Sequence, residues 1–134
     1  MSEEGWGTMA APHAPDHPEL LRLARATLAH YLSAGGLLPY ETDNDWYLTP
    51  AAVFVTLRVR EARQSAGMHG ESWAAGDLRG CIGQVDAERP LVAAVQDATI
   101  KAATADPRFY PVVADELDNL VIEISVLTLS LIHI

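Results

Sequence analysis

The only cysteine of the chain lies in a segment whose composition is suited to nucleophilic chemistry. Residues 78–85 read Leu-Arg-Gly-Cys-Ile-Gly-Gln-Val. Arg79 and Cys81 are two positions apart, so on a strand without a bulge their side chains share a face. A guanidinium beside a thiol favours the thiolate, which is the nucleophilic form. Gly80 and Gly83 are unfavourable inside a strand, and they indicate a bulge or a close approach by a ligand or another backbone.

These residues predict a site in which Arg79 and Cys81 are catalytic and the glycines Gly80 and Gly83 bind a ligand. The alternative is that Cys81 is a small buried residue that packs like alanine or valine. No histidine lies near it in the sequence to act as a base. The two interpretations remain open on the residue pattern.

Asp106 and Arg108 flank Pro107 and are further candidates for the same site. In a structural interpretation, Asp106 ends a helix and Arg108 forms a local pair or caps carbonyls. In a functional interpretation, both line a cleft beside Cys81 and bind an anionic ligand bidentately.

Glu123 lies on a predicted strand, on the face opposite Ile122 and Ile124. A solvated carboxylate is one interpretation. If this face lines the interior of a barrel, Glu123 becomes a catalytic acid–base candidate or a partner of Arg79. An acidic stretch at residues 41–45 lacks the glycine and the closing glutamate of a calcium loop, so we predict no metal site. We also expect no cofactor.

The elements that position these residues follow from hydrophobic periodicity. A helix is predicted from a cap at Asp16 to Gly35-Gly36, with Arg22 and Arg25 on its solvated face. A second helix begins at Arg89-Pro90 and ends at Asp106-Pro107. Strands are predicted at 51–60, 78–85 and 121–127, with a turn or short helix at 115–119.

Length and charge exclude several classes of protein. The chain has 134 residues, nine basic against 18 acidic, and a net charge of −9. This balance argues against a nucleic-acid partner and against binding to anionic membranes. One cysteine allows no internal disulfide. The sequence shows no signal peptide and no long apolar run, so we expect a cytoplasmic protein.

Four segments together resemble the AMMECR-one domain family in content, order and spacing. They are Val53-Phe54-Val55-Thr56-Leu57, Leu78-Arg79-Gly80-Cys81-Ile82-Gly83, Asp106-Pro107-Arg108-Phe109 and Ile122-Glu123-Ile124-Ser125-Val126-Leu127. The resemblance implies an α+β fold, a barrel-like mixed β-sheet flanked by α-helices. Bacterial members of this family resemble component A of a gene neighbourhood that also encodes a Memo-like protein and a radical-SAM protein. The resemblance implies these two proteins as partners.

Composition and the resemblance together divide the chain into three parts. Residues 1–15 are expected to be a disordered leader, and residues 16–128 the N-terminal part of an AMMECR-one domain that is incomplete at its C-terminus. Residues 129–134, Leu-Ser-Leu-Ile-His-Ile, equal one reading frame of a transposon end used as a library adapter. We expect this tail to be non-native, the alternative being a genuine apolar strand.

Two functions are compatible with these features. In the first, the chain is an enzyme component whose Cys/Arg pocket binds a small anionic ligand. In the second, it is a non-catalytic adaptor that binds its partners through a groove at the Cys81 strand, with Arg79 as an interface anchor. The glycine-flanked Arg79 and Cys81 favour a pocket over a flat interface, and hence the first.

Overall fold

A computed structural model describes residues 17–64, 72–84, 87–127 and 131–133. The expected leader at 1–15 and the helix cap at Asp16 lie outside these residues, as do positions 129, 130 and 134 of the tail. The origin of that tail therefore stays a prediction.

Three helical and six extended segments follow one another along the described residues, with one 3₁₀ helix. They are α1 (His17–Ala34), α2 (Asp45–Leu48), β1 (Ala52–Val59), β2 (Arg63–Gln64), β3 (Ser72–Trp73), β4 (Leu78–Gln84), α3 (Leu91–Thr104), the 3₁₀ helix (Ala114–Asn119), β5 (Leu120–Leu127) and β6 (Leu131–His133). The three predicted strands and both predicted helices are confirmed. The short helix α2 and the β2–β3 pair were not predicted.

Strands β4, β1, β5 and β6 form one sheet in that order, and every pairing within it is antiparallel. Strands β2 and β3 form a separate antiparallel pair. The α+β class is therefore confirmed. Among the described residues the sheet is antiparallel rather than mixed, and it is open, with β4 at one edge and β6 at the other.

One face of this sheet forms the core. Alternate residues of β1, Val53, Val55 and Leu57, are fully buried, because α3 packs on β1 and β4 while α1 packs on α3 and β5. The opposite side, which we call the outer face, carries the half-buried side chains of Phe54 and Thr56. The alternation predicted from the sequence is thus the division between core and outer face.

Helix α3 buries the apolar stripe that its periodicity predicts, including Leu91, Val95 and Ala98. Helix α1 differs from the prediction at one position. Arg25 is only partly solvated: its guanidinium donates to the carbonyl oxygens of Leu117 at 3.0 Å and Leu120 at 2.6 Å. The arginine thereby satisfies carbonyls at the end of the 3₁₀ helix and the start of β5, to which the helix period gives no clue.

None of the helices in the described part of the chain is long and apolar enough to cross a membrane.

Candidate functional site

A β-bulge separates Arg79 from the regular face of β4. Leu57 pairs with Gly80 and Arg58 pairs with Leu78, so Arg79 is the extra residue on its strand. The shared face expected for Arg79 and Cys81 depended on a strand without a bulge, and that condition is not met.

Arg79 is buried, with only 5% of its surface exposed, and its guanidinium is engaged on several sides. Nε donates to Oε1 of Glu116 at 2.8 Å and Nη2 donates to Oε2 at 3.2 Å. Nη1 donates to the carbonyl oxygen of Tyr110 at 2.9 Å, and the Trp73 ring centre lies 5.2 Å from Cζ. This bidentate pair joins β4 to the 3₁₀ helix, and no signal in the sequence connects Arg79 with Glu116.

The two glycines of β4 are explained by protein neighbours. A Cβ on Gly80 would collide with the backbone carbonyl of Ala102 in α3, so Gly80 allows the helix to approach the strand. A Cβ on Gly83 would collide with the ring of Phe54 on the outer face. The bulge and the close approach predicted from these glycines are both present. What approaches Gly80 is another backbone, and what approaches Gly83 is a side chain.

Cys81 is half-buried on the outer face, next to a hydroxyl group. It pairs with Thr56 of β1, and Oγ1 of Thr56 lies 3.3 Å from Sγ of Cys81, within hydrogen-bonding distance for either donor. Cys81 is therefore not sealed in the core. Thr56 was missed as a site residue, and the register of β1 against β4 is the information that would have found it.

Asp106 and Arg108 meet Cys81 at the free edge of β4. Oδ2 of Asp106 accepts the backbone N–H of Cys81 at 3.0 Å and Nη2 of Arg108 at 2.7 Å. Oδ1 accepts the backbone N–H and Nε of Arg108, each at 3.0 Å. The structure thus contains the local Asp106–Arg108 pair, and it also places that pair beside the cysteine.

The pKa shifts of Asp106 and Arg108 follow from these hydrogen bonds. Hydrogen bonds from the Arg108 side chain first, and then from backbone N–H groups, hold the pKa of Asp106 well below its usual range although burial opposes this. The pKa of Arg108 is raised, first by the hydrogen bond to Asp106 and to a lesser degree by the charge of an ionised Cys81. Arg108 is thus the guanidinium that shares the Asp106 carboxylate with the backbone N–H of Cys81.

Glu123 lies in the same row of the sheet, but its partner is not Arg79. Thr56 is opposite both Cys81 and Glu123, so the three residues are aligned across β4, β1 and β5. Cys81 and Glu123 are therefore two strand spacings apart, which is about 10 Å. Nε of Arg58 donates to Oε1 of Glu123 at 3.5 Å, with both side chains partly exposed. The pairing with Arg79 considered from the sequence is replaced by Arg58, because Glu116 occupies Arg79.

The site thus combines a thiol, a hydroxyl, a carboxylate and an exposed guanidinium on and beside one open sheet face. Cys81, Thr56 and Glu123 occupy the face, while Asp106 holds Arg108 at its edge. A partly exposed guanidinium that is held by a carboxylate can bind an anion. Across the described ranges, no three histidine, cysteine, aspartate or glutamate side chains cluster as metal ligands would.

Comparison with known proteins identifies relatives over the same region. The AMMECR1 family model matches residues 21–130. Protein PH0010 from Pyrococcus horikoshii is 42% identical over 112 residues, which are 81% of this chain and 48% of that protein. Protein MJ0810 from Methanocaldococcus jannaschii is 36% identical over 108 residues, or 81% of this chain and 47% of that protein.

The fold comparison agrees with the sequence comparison. The crystal structure of PH0010 from Pyrococcus horikoshii superposes with a TM-score of 0.66 at 39% identity, covering 82% of this chain and 50% of that one. The chain thus spans about half the length of the curated relatives it matches. The family match covers most of the chain and includes every candidate residue discussed above. The chain therefore belongs to the AMMECR1 family.

Proposed function

We propose that this chain is a component of a system that also contains a Memo-like protein and a radical-SAM protein, and that it contributes a Cys81-centred pocket for a small anionic ligand. The partners come from the family resemblance alone. The pocket is supported by one observation: the carboxylate of Asp106 accepts both the backbone N–H of the half-buried Cys81 and the guanidinium of Arg108, whose side chain is 56% exposed.

Arg108 takes the anion-binding role in this proposal. Asp106 fixes two of its guanidinium nitrogens, Nε and Nη2, which leaves the remaining N–H groups directed away from that carboxylate. A fixed guanidinium loses little side-chain entropy when it binds a carboxylate or phosphate. Asp106 is then a positioning residue, because both of its oxygens already accept protein donors.

Cys81 and Thr56 form the floor of the proposed pocket, and Cys81 anchors the ligand. The Thr56 hydroxyl can donate a hydrogen bond to the sulfur. Glu123 lies one strand beyond Thr56 and is the acid–base candidate of the same face. Arg79, Gly80 and Gly83 contribute by fixing the shape of β4.

We also propose that the sheet closes into the barrel-like form that the resemblance implies. The half-buried outer face supports it, because a sheet closed around that face would turn Cys81 and Glu123 toward an interior.

Anion protection of the thiol tests the pocket. Because Cys81 is the only cysteine, iodoacetamide reports on it alone. We expect inorganic phosphate or malonate to slow alkylation relative to chloride at equal ionic strength, and Arg108→Gln to abolish this protection. Arg58→Gln is the matched control, since Arg58 lies on the same sheet but pairs with Glu123. If neither anion protects, or if protection survives Arg108→Gln, the pocket is not there.

A second candidate function is the non-catalytic adaptor, and one observation favours it. Tyr110 and Val113, on the segment that follows Arg108, are 54% and 55% exposed and offer apolar surface to a partner. Arg79 is too buried to anchor an interface. An adaptor predicts that Tyr110→Ser abolishes co-purification with the Memo-like and radical-SAM proteins while Cys81→Ser has no effect on any readout. A ligand pocket predicts a functional defect in Cys81→Ser with the complex intact.

A further inference from the structure

A second concave site lies at the other end of the bulged strand, away from Cys81. We call it the Trp73 notch. Its apolar floor is formed by Val59 and Leu120, its wall by the Trp73 indole, and its rim by Arg63 and Asp115. The enclosed part has a volume of about 40 Å³. That volume holds about three water molecules, so the notch admits the head of a small molecule and leaves the remainder outside.

The two charged rim residues are available to a ligand. Glu116 also lines the notch, but Arg79 and the backbone N–H of Val113 occupy its carboxylate. Within the ranges that the structure describes, the Arg63 guanidinium and the Asp115 carboxylate make no hydrogen bond and no ion pair, either with each other or with a third group. Opposite charges therefore face one cavity without neutralising each other.

We propose that the Trp73 notch binds the ammonium and carboxylate groups of a small α-amino acid. A guanidinium binds a carboxylate through two parallel hydrogen bonds, which suits Arg63. An ammonium group is attracted both by the Asp115 carboxylate and by an aromatic ring, which suits the neighbouring Trp73. The hydrocarbon of glycine or alanine fits the floor at Val59 and Leu120, whereas a longer side chain must project through the mouth.

The indole of Trp73 is already held in place for this purpose. The Arg79 guanidinium lies 5.2 Å from its ring centre, and the Phe109 ring lies at 6.3 Å with a tilt of 45°. Both neighbours restrict the indole before any ligand arrives, and a pre-ordered wall reduces the entropy lost on binding. This site is independent of the proposed anion pocket, so the failure of one leaves the other standing.

Titration followed by ¹H–¹⁵N NMR tests the proposal on the whole chain. The chain has three tryptophans, and Trp73→Phe identifies the indole resonance of Trp73. We expect glycine and alanine to displace that resonance saturably at millimolar concentrations. Acetate and methylammonium, which each carry one of the two charges, should bind more weakly. Arg63→Gln and Asp115→Asn should each raise the dissociation constant about tenfold.

Arg22→Gln and Asp43→Asn are the matched controls, since both remove exposed charges that do not line the notch. They should bind glycine as the unaltered chain does. The proposal is overturned if no amino acid gives a saturable displacement, or if Arg63→Gln and Asp115→Asn bind glycine normally. Equal binding of acetate and glycine would also overturn it, because that result describes a simple anion site.

Discussion

The carboxylate of Asp106 accepts the backbone N–H of Cys81 at 3.0 Å, which joins the segment after helix α3 to the free edge of the sheet. The same oxygen accepts Nη2 of Arg108 at 2.7 Å. One carboxylate therefore fixes the strand that carries the thiol and the guanidinium beside it. It also satisfies an N–H group of an edge strand, which would otherwise be open to pairing with another chain.

Replacing Asp106 with asparagine should lower the free energy of unfolding by roughly 2 kcal/mol. The asparagine side chain would direct an amide NH₂ group at N–H donors that now bind the Asp106 carboxylate. The change would also remove the negative charge of a residue that is only 5% exposed. Urea denaturation at neutral pH, followed by circular dichroism, measures the loss. Asp43→Asn, which alters an exposed aspartate, should change little.

The pH dependence of stability should also depend on Asp106. Its pKa is lowered in the folded protein, so the unfolded chain takes up the proton first as pH falls. The stabilisation is therefore complete well above the usual carboxyl pKa of about 4 and is lost progressively as pH falls below that value toward the lowered one. Thermal melts across this range should show a steeper decline for the unaltered chain than for Asp106→Asn. Parallel declines would contradict the assignment.

Arg79→Ala should destabilise the fold much more than Arg58→Ala. Arg79 is buried in a bidentate pair with Glu116, so its removal leaves a carboxylate without its partner and costs about 3 kcal/mol. The pair of Arg58 with Glu123 is 3.5 Å long and partly exposed, and exposed pairs contribute less than about 1 kcal/mol. Paired denaturation curves make the comparison. Equal losses in the two variants would mean that the Arg79 pair is not formed in solution.

Gly80→Ala should be more harmful than Gly83→Ala. The Cβ at position 80 would meet the backbone carbonyl of Ala102, which cannot move without shifting α3, and we expect a loss of roughly 3 kcal/mol. The Cβ at position 83 would meet the Phe54 ring, which can rotate away, at about 1 kcal/mol. Adding Phe54→Leu should relieve the second variant but not the first. The reverse order would show that α3 does not pack this closely on β4 in solution.

Much of the fold could be predicted because the hydrophobic period of each strand and helix is a local property of the sequence. The alternation in β1 and the helical spacing in α3 report directly which side chains face the core, and the structure agrees at Val55 and Val95. The period carries no information about barrel closure, because closure depends on long-range pairing between strands and not on alternation within one strand.

The candidate site was harder to predict because its geometry depends on long-range pairing. Gly80 correctly signalled a bulge or close approach, yet the bulge itself takes Arg79 out of line with Cys81. Arg79 then reaches Glu116, 37 residues away, and no residue pattern encodes that distance. A local feature, the spacing of Asp106 and Arg108 around a proline, proved more informative about the neighbours of the thiol.

We infer that the Arg108 guanidinium, not that of Arg79, supplies the positive charge beside the half-buried Cys81. The ratio of alkylation rates with anionic iodoacetate and neutral iodoacetamide measures that charge at the sulfur, since both reagents attack the same thiolate. We predict that Arg108→Gln lowers this ratio severalfold while Arg58→Gln leaves it unchanged. An unchanged ratio in Arg108→Gln, or a thiol that neither reagent modifies in the folded chain, would contradict the account.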